Sequence, residues 1–139
     1  MSAVEDIRRV IALYSQLADD KRMEEWSDLF TEDAVFLAHG NRLEGRLTIK
    51  ESIGPSLAAV PIKHLVGEPV IDLLSRDRAR AWTDLATFVR GTEGIAVVTI
   101  GRYYDELQLG EDGSWRLARR ELVVVGDPLP EGLTPSPGR

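Results

Sequence analysis

The chain has 139 residues, 43% of them hydrophobic, with a net charge of -6 and no cysteine. At this length a single domain is expected, burying roughly two-thirds of the surface of the unfolded chain, so a core needs no staples. The acidic balance speaks against a nucleic-acid partner, and the lack of cysteine excludes disulfides and thiolate zinc sites and fits a reducing compartment such as the cytoplasm. No apolar run reaches the roughly 20 residues of a membrane span. The opening Met-Ser-Ala-Val-Glu-Asp has neither the basic nor the apolar stretch of a secretory leader, so none is expected.

Ile7, Val10, Ile11, Tyr14, Leu17 and Ala18 recur at helical spacing and predict a helix with one buried stripe. Glu5 and Asp6 suit its first turn, whereas Asp19 and Asp20 at its end oppose the helix dipole. A second short helix is expected to carry Met23, Trp26, Leu29 and Phe30 on one side. A strand over 33–39, a turn at Gly40-Asn41 and a return strand over 42–45 follow. Thr48-Ile-Lys-Glu51 has the spacing of a capping box opening a third helix, which Gly54-Pro55 kinks or interrupts and Pro61 ends.

The rest predicts strands. Residues 62–66 and 70–74 read as one extended run bulged at Gly67-Glu-Pro69. Long strands over 79–90, 95–108 and 115–125 are separated by the turns Gly91-Thr-Glu-Gly94 and Gly110-Glu-Asp-Gly113. Strands this long twist and curl. The expected class is therefore α+β: a cone-shaped, strongly curved mixed or antiparallel sheet, closed by about three N-terminal helices, with an apolar pocket at its open end. The domain is expected to span 1–126. The segment 127–139, rich in Pro and Gly, reads as a flexible tail.

His64 carries the chemistry. It sits in an apolar run, and strand alternation places it on one face with Ile62 and Val66. An imidazole is the natural base near neutral pH, although a lone histidine is more often a satisfied core residue. Asp19 supplies the carboxylate that would fix its tautomer; the plain alternative is a solvated acidic loop, the reading preferred for Asp20. Tyr14, on the buried stripe, is either a core aromatic or a donor to a substrate oxygen. Arg119 and Arg120 alternate, so one points inward and needs a partner, with Glu121, Asp84 or an anionic substrate group as candidates. His39, beside the Gly-Asn turn, is expected to be exposed. Two histidines without ligand spacing make no metal site. The glycine and serine motifs of nucleotide binding and serine hydrolysis are missing.

With these residues in view, the chain resembles the nuclear transport factor 2-like superfamily over about residues 3–126. Within it, the chain looks most like the SnoaL-like group, with its scytalone dehydratase, hexachlorocyclohexane dehydrochlorinase and bile-acid dehydratase relatives. The resemblance rests on Tyr14 to Asp19, Leu29-Phe30-Thr-Glu-Asp33-Ala, Leu43-Glu-Gly45-Arg, Lys63-His64-Leu, Gly101-Arg-Tyr103-Tyr-Asp105 and Trp115-Arg-Leu-Ala-Arg-Arg120. It implies a cofactor-independent lyase or isomerase of dehydratase, dehydrohalogenase or cyclase type, acting on an apolar cyclic small molecule. Asp19, His64 and Tyr14 would be catalytic, and Arg120, Trp26 and Phe30 would contact substrate. No metal is implied.

Two places depart from ketosteroid isomerase, which carries acids where Ala38 and Gly101 stand, so that reaction is not expected. The second pocket histidine of scytalone dehydratase is also missing, which argues against scytalone itself. The rival expectation is a non-catalytic binding or dimerisation module of the same fold. Either way a homodimer is expected, or a trimer as in related branches. The uncovered sheet face would form it through Val97, Thr99 and Val123 or Val124.

Overall fold

The computed structural model describes residues 2–130. The first helix, α1, spans Ala3–Asp19. It opens on a capping box in which the Ser2 hydroxyl accepts from the Glu5 amide while the Glu5 carboxylate accepts from the Ser2 amide. Its stripe of Ile7, Val10, Ile11, Tyr14, Leu17 and Ala18 is buried. A short α2 (Met23–Ser27) follows, and Trp26 is wholly buried. β1 (Phe30–Ala38) begins at Phe30, so Leu29 and Phe30 lie beyond the helix expected to carry them. β2 (Asn41–Glu44) pairs back antiparallel across a turn in which His39 and Gly40 both take positive φ.

The helix α3 spans Arg46–Ala59 and corrects two expectations. It starts two residues before Thr48, behind Gly45 at φ 93°, with no side-chain cap. Arg46 instead donates from Nε and Nη2 to the Phe30 carbonyl at 2.8 and 2.6 Å, fixing the helix start to the start of β1. Pro55 lies inside α3 without ending it. Both Pro55 and Glu51, whose carbonyl loses its partner, are exposed, so that carbonyl can turn to water.

Five strands complete the chain: β3 (Ile62–Val66), β4 (Val70–Leu73), β5 (Arg78–Gly91), β6 (Gly94–Leu109) and β7 (Trp115–Val124). The sheet order is β2-β1-β7-β6-β5-β3, with β4 also pairing β5. β3 and β4 are thus separate strands that pair with successive stretches of β5, antiparallel to it in both cases. The β1–β7 pair is parallel and every other pair antiparallel, so the sheet is mixed.

The helices pack on one face, where the main core gathers α1, Trp26, Phe30, Leu85, Tyr103, Leu107 and Leu117. A small second cluster of Trp82, Tyr104 and Val123 marks the other face. That face also exposes Leu65, Val97 and Ile100. Thr99 does not belong to it. Thr87 pairs with Thr99 but Phe88 pairs with Val97, so Val98 is an extra residue and the alternation flips there. Val97 stays outside and Thr99 turns inward. The tail expected from residue 127 is described only to Pro130, and the remainder lies outside the described residues. Among the described residues no helix is long and apolar enough to cross a membrane.

Candidate active site

The last residue of α1 meets the middle of β3. An Asp19 oxygen lies 2.6 Å from His64 Nδ1, and the same carboxylate accepts the His64 backbone N–H at 3.0 and 3.2 Å. The two side chains are only 6% and 5% exposed. Three approaches to one carboxylate fix both the ring and its strand to the helix end, and they compensate for placing an acid against the dipole. Lys63 Nζ adds a cation at 3.5 Å from the more distant oxygen, its own side chain largely in solvent. An ionised carboxylate only accepts, so Nδ1 is the donor in this contact. Asp20 is the exposed cap of the helix.

His64 lines a cavity of about 510 Å³ between the helix-covered face of the sheet and α3. Tyr14 and Tyr103 line it too. The Tyr14 ring stands perpendicular to the His64 imidazole at 6.2 Å and at 69° to the Tyr103 ring at 5.6 Å. Burial raises the Tyr14 phenol above its ordinary value, opposed by the Arg120 charge. Burial raises Tyr103 further, and the neighbouring Tyr14 adds to the effect. Both phenols therefore stay protonated and able to donate at neutral pH. Ala38 lines the same cavity, and His39 stands exposed at its mouth.

Arg120 is not on the cavity wall. It is wholly buried behind the tyrosines, with its guanidinium 4.2 Å from the Tyr14 ring centre and 3.7 Å from that of Tyr103. Asp105, directly opposite on β6, accepts from its Nε and Nη2 at 2.8 Å each, while Nη1 has no hydrogen-bond partner among the described residues. None of the partners anticipated for an inward arginine is the one found: Asp84 binds Arg102, and Glu121 binds Arg119. Burial lifts the Asp105 carboxyl above the usual carboxylate range against the pull of Arg120. Two parallel short bonds still require two accepting oxygens, so the pair is ionic. Burial works against the Arg120 charge, but Asp105 outweighs it and holds the guanidinium protonated.

Trp26 and Phe30 likewise lie behind the cavity, both at 0% exposure, packed on Tyr14 at 5.5 and 6.0 Å. The substrate contacts expected of Arg120, Trp26 and Phe30 are thus replaced by a supporting role beneath Tyr14 and Tyr103. Tyr103 is the pocket residue that sequence reasoning missed. Its signal was available in the alternation of β6, since Tyr103 and Tyr104 must face opposite sides. Among the described residues no group of three or more His, Cys, Asp or Glu could hold a metal ion.

A second hollow, about 640 Å³ and more open, lies on the other face of the sheet. It is lined by residues alternating with those of the cavity, such as Leu65 beside His64 and Tyr104 beside Tyr103. It holds no imidazole.

Residues 1–121 match the model of the SnoaL-like domain, and the chain belongs to that family. Among solved structures, a protein of unknown function from Mycobacterium tuberculosis superposes with a TM-score of 0.81 at 25% identity, covering 87% of this chain and 70% of that one. A candidate scytalone dehydratase from Novosphingobium aromaticivorans gives a TM-score of 0.78 at 25% identity, covering 88% and 83%. An NTF2-like protein with a cystatin-like fold from the same organism gives 0.78 at 25%, covering 88% and 81%. The curated proteins contain no match. The fold is thus the NTF2-like, cystatin-like one, shared with dehydratase-type neighbours.

Proposed function

We propose that this protein is a small cofactor-independent lyase or isomerase acting on an apolar cyclic molecule. Asp19 holds the Nδ1–H tautomer of His64. Nε2 takes a proton from a carbon beside an electron-withdrawing group. The electron pair of that C–H bond moves into a new π bond. In a lyase reaction a hydroxyl or halide then departs with its own pair, and in an isomerase the proton returns elsewhere. Tyr14 and Tyr103 donate to the oxygen on which negative charge develops.

The observation that carries this reading is the 2.6 Å Asp19–His64 contact, sealed from solvent on one side and opening into a cavity on the other. The similarity to a candidate scytalone dehydratase supports it. Proton abstraction can be followed without knowing the natural substrate, through exchange of the acidic C–H protons of β-tetralone in heavy water. The protein should accelerate exchange over buffer, and His64→Gln should return it to the buffer rate. Equal acceleration by both would sink the proposal.

A second reading is favoured by the exposed Leu65, Val97 and Ile100 beside the outer hollow. We propose that this face pairs two copies of the chain, since an apolar patch of this kind marks an interface. It adds to the enzymatic reading and does not compete with it.

A further inference from the structure

Three side chains stand in one row across the cavity. His64 on β3 is paired with Thr87 on β5, and Thr87 with Thr99 on β6. Residues paired in this way share a face, and all three line the cavity.

The row exists because of the extra residue at Val98. The pairs nearest the β5–β6 hairpin, Gly91 with Gly94 and Phe88 with Val97, follow one register, and that register continued would set Thr99 opposite Ala86 on the outer face. The bulge moves it opposite Thr87 and into the cavity. Bulges commonly re-aim a side chain beside a functional site.

Thr87 is 5% exposed, and its hydroxyl has no hydrogen-bond partner among the described residues. A buried hydroxyl left unbonded is costly. The hydroxyl oxygen is inaccessible as it stands, so a turn about χ1 is what would bring it to an oxygen-bearing occupant of the cavity. Thr99 is half-buried beside it. Apart from His39, His64 and the two tyrosines, the described residues lining the cavity carry no ionisable side chain. Thr99 and Tyr103 lie four residues apart on β6, about 13 Å along the strand.

Resting on the reading of this cavity as the reaction site, we infer that Thr87 and Thr99 form a positioning strip for a second, uncharged oxygen of the substrate. The natural substrate is then a neutral ring system with at least two oxygen functions. One lies at the tyrosines beside the reacting carbon, and the other is a hydroxyl or carbonyl on a remote ring position at the threonines.

The test compares β-tetralone with 6-hydroxy-β-tetralone, which adds one remote hydroxyl. Calorimetric titration of the wild-type protein should show about a tenfold preference for the hydroxylated probe, the worth of one good hydrogen bond. Thr87→Val with Thr99→Val, close in shape and still suited to strands, should bring the ratio near one. Thr87→Ser with Thr99→Ser should restore it. In heavy-water exchange the Val variants should raise KM for the hydroxylated probe more than they lower kcat. A wild-type ratio near one, or a preference that survives the Val pair, overturns the strip even if exchange depends on His64. A preference that collapses in the Val pair while exchange ignores His64→Gln supports the strip and refutes the base instead.

Discussion

Asp19→Asn isolates what the carboxylate does, because it removes a charge and almost no volume. The asparagine still fits between α1 and β3, but its amide offers either an acceptor or a donor to Nδ1. A hydrogen bond to an ionised acceptor contributes about 1.5–3 kcal/mol against about 0.5–1.5 for a neutral one. Asp19 serves a ring N–H at 2.6 Å and a backbone N–H at 3.0 Å, so the loss should be about 1–3 kcal/mol, a fall in Tm of roughly 4–10 °C. The rate should fall much further, about 100- to 10,000-fold, since both the tautomer and the support of the imidazolium are lost. Three measurements separate these effects: thermal unfolding, exchange of β-tetralone in heavy water, and the nitrogen shifts of the His64 ring, which report the tautomer. An exchange rate within threefold of wild type, with the ring tautomer unaltered, would refute the claim that Asp19 orients the base.

Three further outcomes are expected. Arg120→Met should cost about 3–5 kcal/mol by stranding the Asp105 charge in the core, while adding Asp105→Leu should recover part of that loss; denaturant unfolding of the four proteins of the cycle decides it, and a single-variant loss below about 1 kcal/mol would contradict the ion pair. Tyr14 and Tyr103 have folded pKa values raised above the ordinary 10.0, so the native state keeps phenol protons that the unfolded chain releases, and their contribution to stability is complete below about pH 10 and lost as pH rises through the folded values. Tyrosinate absorbance and loss of circular dichroism should therefore rise together for these two residues, and ionisation well before unfolding would count against their burial. Ile100→Asp, at an outer position 51% exposed, should convert a dimer to a monomer in light scattering while leaving far-ultraviolet dichroism intact; an unchanged mass would remove this face as the interface.

The elements with strong local signals were legible in the sequence. The apolar stripe of α1 and the glycines bounding β6 act over a few residues and appear where expected, whereas the turn signalled by Gly40-Asn41 falls one residue earlier, at His39-Gly40, with Asn41 already in β2. The features that were not legible depend on register. Arg120 finds Asp105 only because β6 and β7 align with a shift between Glu106 and Leu107, and no local pattern reports that shift. Thr99 faces inward because of one extra residue. The Thr48 box lost to a longer-range interaction, since Arg46 secures the helix start on the Phe30 carbonyl. Gly101 shows the same dependence. A Cβ there would lie 2.3 Å from the Val123 carbonyl oxygen, so the acid that ketosteroid isomerase carries at this place could not stand on this backbone.

The two buried carboxylates show why one is read as chemistry and the other as structure. Asp105 spends both oxygens on Arg120, and Arg120 presents its face to the backs of two tyrosines. Nothing in that pair reaches the cavity, so its effect on a ligand must pass through the placement of the Tyr14 and Tyr103 rings. Asp19 also satisfies its partner on one side, but an imidazole has two nitrogens and only one is taken. The second is the nitrogen to which the proposed function gives the proton transfer. A guanidinium has no basic site to offer at neutral pH, whereas an imidazole does. An anchoring carboxylate thus makes a strut in one case and, under the proposed function, a base in the other. Losing the first should be seen chiefly in stability and losing the second chiefly in rate, an asymmetry that the Asp19 and Arg120 variants measure directly.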